Sequence, residues 1–168
     1  MFHTMLALRA GASRVIVSEP QASRRETISA LGPVTVIDPT GADLVENVKA
    51  LTDGDGADVS IVCVGHPGLA QDAVRITRPG GIVNLFAGFG RSGVGKMDLN
   101  AIHYEQLDVI GNVDSTLDEF HTVSGLIAEG NLDVSAMITH RFSLSQAEEA
   151  IETARSGTGV KVAILPDS

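Results

Sequence analysis

Residues 53–87 read "DGDGADVSIVCVGHPGLAQDAVRITRPGGIVNLFA". The opening "DGDG" (53–56) is a turn. "ADVSIVCVG" (57–65) is an almost unbroken apolar run of the kind that forms a strand buried on both faces. Pro67 opens a helix, which "RPGG" (78–81) ends, and "IVNLFA" (82–87) is the next strand. Two apolar strands joined by a helix of about ten residues make a right-handed β-α-β crossover, and therefore a parallel pair.

The pattern repeats on both sides. Upstream, residues 1–10 form a helix stopped by Gly11, and 14–19 ("RVIVSE") a strand. Residues 20–31 form a helix capped by Gly32, and 34–37 ("VTVI") a strand. Thr40, with Asp43 three residues on, signals the start of a helix that ends near Leu51. Downstream, 107–111 ("LDVIG") is another strand. These alternations predict a doubly wound, Rossmann-like α/β domain. Beyond Gly111 come a helix over 115–129, the irregular "NLDVSAMITHRFS" and a helix opening at Ser145 with Glu148 in capping-box spacing. A strand over 160–165 closes the chain. This divides the 168 residues into an alternating α/β part at 1–112 and a segment of two helices and a strand at 113–168.

Composition narrows the partners. The formal net charge is −9 and no basic cluster is interleaved with aromatics, which argues against nucleic acid. The single cysteine, Cys63, excludes an internal disulfide framework and a cysteine-based structural zinc site, and fits the cytoplasm. The apolar start has no basic leader and is broken by Arg9, which argues against a signal peptide or a membrane span.

Two glycine motifs overlap in "GFGRSGVGKM" (88–97). Gly90 to Lys96 resembles a phosphate-binding P-loop, but Met97 stands where a magnesium-holding hydroxyl is needed. Gly88, Gly90 and Gly93 spell G-x-G-x-x-G, yet neither a long apolar helix nor an acid-ended strand follows. The segment therefore reads as a glycine-rich loop at the carboxyl edge of a strand, where ligands bind in such sheets. A better nucleotide signal is Glu19, an acid ending a strand, with Arg24 and Arg25 beyond it. An ordinary solvated carboxylate is the alternative there.

Taken in order, "GASRVIVSEP", "LGPVTVIDP", "TDGDGADVSIVCVG", "RPGGIVNLFAG", "IHYEQLDVIGN" and "GVKVAILP" resemble the medium-chain, zinc-type alcohol dehydrogenase family, closest to its polyol and threonine dehydrogenase branches. The resemblance implies NAD(P)-dependent oxidation of a small secondary alcohol, with a zinc ion polarising the substrate oxygen. It makes Glu19 the ribose acid and Arg24 the adenosine-side cation. Cys63, Val64 and Gly65 become the strand end under the adenine and ribose, and Phe86, Ala87, Gly111 and Asn112 the strand ends beside the nicotinamide. Lys161 becomes a basic residue near the pyrophosphate. Val64, Phe86 and Ala87 also suit a plain core, and Lys161 a solvated strand end.

Two departures accompany the likeness. The family's first strand and true glycine loop fall before residue 1, and none of its zinc ligands, catalytic or structural, has a counterpart. The resemblance thus implies an incomplete dinucleotide-binding domain at 1–112 and a return segment at 113–168. Together these are the nucleotide-binding portion of a longer NAD-dependent enzyme, inactive on its own, in a family that commonly forms homo-oligomers. The Glu19 carboxylate disfavours NADP, and Arg24 and Arg25 soften that preference. The alternative is a non-catalytic remnant that folds only by pairing. With the first strand missing from the middle of the sheet, "VIVSE" is expected to pair directly with "DVSIVCV" or with a partner chain.

Overall fold

The computed structural model describes residues 1–41, 43–90 and 93–166. The chain folds into two compact units. One holds residues 16–20 and 34–114, the other residues 1–15, 21–33 and 115–168. The sequence-based division at residue 112 follows the chain rather than this grouping.

In the first unit, the strands β3 (Ala57–Val62), β4 (Thr77–Leu85) and β5 (Asp108–Gly111) form a three-stranded sheet in that order, parallel throughout. Helix α4 (Pro67–Ile76) makes the crossover from β3 to β4, and the short α5 (Leu99–Tyr104) the one from β4 to β5. Ala70, Ala73 and Val74 recur at helical spacing along α4, and all three are buried. Ala73 and Val74 meet Val62, Val83 and Leu107 in a core to which Phe89, Met97, Ala101 and Ile102 add their side chains. Strands β1 (Val15–Ser18) and β2 (Val34–Ile37) form a separate pair, extended by the Glu19 amide donating to the Ile37 carbonyl at 3.1 Å. Helix α3 (Leu44–Leu51) follows β2 and buries Val45 and Val48.

In the second unit, β6 (Ile138–Ser143) and β7 (Lys161–Leu165) form a parallel pair packed by α7 (Ala147–Ser156). Helices α1 (Phe2–Arg9), α2 (Ala22–Ser29) and α6 (Leu117–Ala128) complete it. Its largest fully buried side chains are Ile28 and Met137. None of the described helices is long and apolar enough to cross a membrane.

The structure corrects four expectations. "RPGG" does not end α4; it lies inside β4. Ala57 pairs with Thr77 but Val59 pairs with Ile82, so Arg78 to Gly81 form a bulge. The bulge is held by the Gly80 amide donating to the Glu105 carbonyl (2.8 Å) and by the Arg78–Asp58 ion pair. The cap of α3 is Asp43, whose carboxylate accepts from the amides of Val45 and Glu46, because Asp38 already takes the Thr40 hydroxyl at 2.6 Å. The irregular stretch after α6 contains β6, and the capping box that follows it joins Ser143 to Gln146 rather than Ser145 to Glu148. Finally, β1 does not pair with β3. β3 stands at the edge of its sheet with Val59 51% and Ile61 39% exposed.

Candidate functional site

Parallel pairing puts the carboxyl ends of β3, β4 and β5 in one row. Val62 is level with Leu85, and Leu85 with Gly111. The next residues along each strand, Cys63, Phe86 and Asn112, therefore emerge side by side at one edge, and all three are exposed. In an open α/β sheet this edge is where ligands sit. The row brings together seven of the residues singled out from sequence: Cys63, Val64, Gly65, Phe86, Ala87, Gly111 and Asn112. Glu19 belongs to the same compact unit, half-buried at the end of β1.

The edge is knit from backbone. The Ala87 amide donates to the Val62 carbonyl (2.9 Å), and His66, whose own amide turns back to the Val64 carbonyl (2.8 Å), caps α4 by accepting from the Gly68 amide on its Nδ1. The chain past β4 then folds against the end of β3, where Gly65 faces Gly88. Gln71 of α4 accepts from the Asp98 amide at 2.8 Å, tying the far end of the glycine-rich loop to the same helix. Sequence reasoning missed the capping role of His66, although a residue before Pro-Gly at a strand end is the signal for it. The Gln71 tie has no local signal. Outside residues 91 and 92, which lie beyond the described residues, the stretch 88–96 forms no helix.

Burial raises the Cys63 thiol above its ordinary value, so this edge presents a neutral thiol. Within β4 the Asn84 side-chain oxygen is buried with no hydrogen-bond partner. A shallow groove of about 360 Å³ lies elsewhere, lined by Pro39, Asp43, Leu44, Leu69, Asp72 and Arg75, and shares none of the strand-end residues.

Arg24 and Lys161 lie in the other unit. The Arg24 guanidinium donates to the Gly157 carbonyl at 3.2 Å, and the Lys161 ammonium sits 5.8 Å from the centre of the Phe2 ring. No group of three or more His, Cys, Asp or Glu among the described residues is arranged to hold a metal. The zinc ion that the family resemblance implies thus finds no ligand set in these residues.

The fold is that of a Rossmann-like NAD(P)-binding domain. It matches an alcohol dehydrogenase from Thermus sp. ATN1 with a TM-score of 0.90 at 22% identity, over 98% of this chain and 47% of that one. A protein described as a zinc-binding dehydrogenase from Sinorhizobium meliloti 1021, solved with NADP bound, matches with a TM-score of 0.81 at 27% identity, over 88% and 44% of the two chains. Residues 1–129 match the model of the zinc-binding dehydrogenase family, and the chain belongs to that family. Among curated relatives, the L-threonine 3-dehydrogenase of Thermococcus kodakarensis is 35% identical over 163 residues, covering 96% of this chain and 46% of the relative. The sorbitol dehydrogenase of Bombyx mori is 29% identical over 164 residues, covering 95% and 46%. The chain thus spans about half the length of the curated relatives it matches.

Proposed function

We propose that this chain supplies the nucleotide-binding part of an oxidoreductase that moves hydride from a small secondary alcohol, polyol or threonine-like, to NAD. The observation that supports this reading most is the level row of strand ends at Val62, Leu85 and Gly111. A flat platform formed by adjacent parallel strands suits an extended ligand lying across it. Cys63, Val64 and Gly65 carry the adenosine side, and Phe86, Ala87, Gly111 and Asn112 the nicotinamide side. Glu19 accepts from the ribose hydroxyls, and its carboxylate repels the 2′-phosphate of NADP, which favours NAD. By the family resemblance Arg24 is the adenosine-side cation and Lys161 a basic residue near the pyrophosphate; both belong to the other unit. NAD, when bound, accepts the hydride; the residues of this chain bind and orient it. A lone cysteine with a neutral thiol suits the cytoplasm.

The test is a titration of the full chain with NAD and with NADP, followed residue by residue through backbone amide shifts. The expected result is saturable shifts at residues 63–65, 86–87 and 111–112, at lower NAD than NADP concentration. Shifts confined to other surfaces would overturn the reading, and tighter binding of NADP would overturn the role of Glu19.

A second reading, a non-catalytic chain that folds only by pairing with itself or another subunit, is favoured by the exposed β3 edge. On either reading this chain alone turns over neither polyols nor threonine. Saturable NAD binding by a folded monomer supports the first, and folding only in an oligomer supports the second.

A further inference from the structure

We propose that Gly65 is a positioning residue for the cofactor site, an assignment that rests on the nucleotide-binding reading above. Gly65 does not adopt a left-handed backbone, so conformation does not require a glycine there. Space does. A Cβ at Gly65 would overlap the carbonyl oxygen of Gly88 and lie 2.9 Å from the Gly88 carbonyl carbon and 3.1 Å from the Phe89 Cα. All three are backbone atoms, which cannot rotate aside as the tip of a side chain can. The relation is one-sided, because a Cβ on Gly88 would meet nothing within 4 Å.

The contact joins the two strand ends assigned to opposite halves of the nucleotide. On one side is Cys63–Val64, just before Gly65. On the other is Phe86–Ala87, just before Gly88, with the Ala87 amide still bonded to the Val62 carbonyl. Phe89 is anchored in the core beside Met97, Ala101 and Ile102, and Gly95 packs so closely on Pro67 that a Cβ there would stand 2.8 Å from the proline Cβ. Phe89 and Gly95 are thus both held in place, and a methyl group at Gly65 pushes against the strand end at Ala87. The absent side chain sets the separation of the two strand ends, and with it the fit to a ligand that spans them.

The experiment compares Gly65→Ala and Gly88→Ala with the wild-type full chain by amide-resolved NMR, with and without NAD. In Gly65→Ala the amides of residues 86–89 should move, and NAD should bind about tenfold more weakly, within the range that a displacement near 1 Å brings. Gly88→Ala, whose methyl group meets nothing within 4 Å, should leave the amides of residues 63–65 as in wild type and weaken NAD binding less than Gly65→Ala does. Unchanged NAD binding by a folded Gly65→Ala protein overturns the proposal, and so does an equal loss in Gly88→Ala. One measurement needs no variant and therefore holds if Gly65→Ala does not fold. In wild type, the amides of Val64 and Gly65 and those of Ala87 and Phe89 should respond to NAD along one saturation curve, and a response at one strand end alone overturns the assignment. A wild-type chain with no saturable response at either end overturns the nucleotide-binding reading itself.

Discussion

The hydroxyls of Ser60 on β3 and Thr77 at the start of β4 lie 2.7 Å apart in the interior of the strand–helix layer, each only 6% exposed. Thr77 Oγ1 is also 2.7 Å from the Ala73 carbonyl at the end of α4. A carbonyl can only accept, so the threonine proton goes there whenever that bond is made, and Ser60 is then the donor to Thr77. The pair joins a helix end to two strands. Thr77→Val keeps the shape and strands the serine hydroxyl, at a cost of about 1–3 kcal/mol. The double change Ser60→Ala with Thr77→Val should recover part of that loss. Urea unfolding of the single and double variants checks it, and strict additivity would show that the two hydroxyls do not couple.

Arg24 offers a second stability test that also bears on the cofactor. Its bond to the Gly157 carbonyl satisfies a carbonyl just past the end of α7, where orphan acceptors are expected. Arg24→Ala should destabilise the chain by about 0.5–1.5 kcal/mol. If the guanidinium also serves the nucleotide, NAD affinity falls further than the lost stability explains. Calorimetric melting beside an NAD titration separates these contributions. Full NAD affinity in a destabilised variant would leave Arg24 with a structural role alone.

Acid should weaken the fold in two windows, with the same sign in both. The His3 imidazole is held below its ordinary value of 6.5, first by burial and then by the neighbouring terminal amine. Between that lowered value and 6.5 the unfolded chain binds more protons than the folded one, so stability falls as pH drops through this range. Asp58 is lowered by Arg78, Glu119 by the Thr116 amide and hydroxyl, and Asp133 by the Ser135 hydroxyl and amide. The stability these carboxylates add is present above their ordinary values and is lost as pH falls through their lowered ones. Denaturant midpoints measured against pH should show both steps, and His3→Gln should remove only the upper one.

Cys63 should alkylate slowly at neutral pH despite its exposed position, because the thiolate is the nucleophile and burial disfavours it. The rate with iodoacetamide should climb with pH and inflect above the ordinary 9.0. An inflection below 9.0 would mean that a positive charge reaches the thiol.

The β3 edge should make the chain self-associate. Val59 and Ile61 are exposed beside unpaired strand backbone, the arrangement that recruits further strands. Val59→Lys with Ile61→Lys should shift sedimentation toward monomer. The same distribution as wild type would move the association surface elsewhere.

What could be read from residues alone was whatever local pattern controls. The apolar run ending at Val62 and the β-branched run ending at Ser18 carry their strand identity in their own side chains, and Glu19 declares the end of its strand. β6 did not show itself because Thr139, His140 and Arg141 give it no clean alternation, and it becomes a strand by pairing with β7, some twenty residues on. The bulge at Arg78 to Gly81 depends on Asp58 and on the Glu105 carbonyl, neither of them a sequence neighbour. Of the site, the strand ends were legible as positions. Their alignment in a row, and the Gly65–Gly88 approach that spaces them, come from register between strands and leave no mark in any single segment.

The way the two units share the chain has a consequence for synthesis on the ribosome. The unit built on the β3–β4–β5 sheet is almost one continuous stretch, residues 34–114 with a short earlier piece, so it can begin to fold as it emerges. The other needs residues 1–15 and 21–33 to wait for everything after Asp114. At about 5–20 residues per second the stretch from residue 34 to residue 168 takes on the order of 7–27 s, during which α1 and α2 lack their partners from residues 115–168. A nascent chain stalled near residue 114 should therefore show a protease-resistant core lacking its first helices.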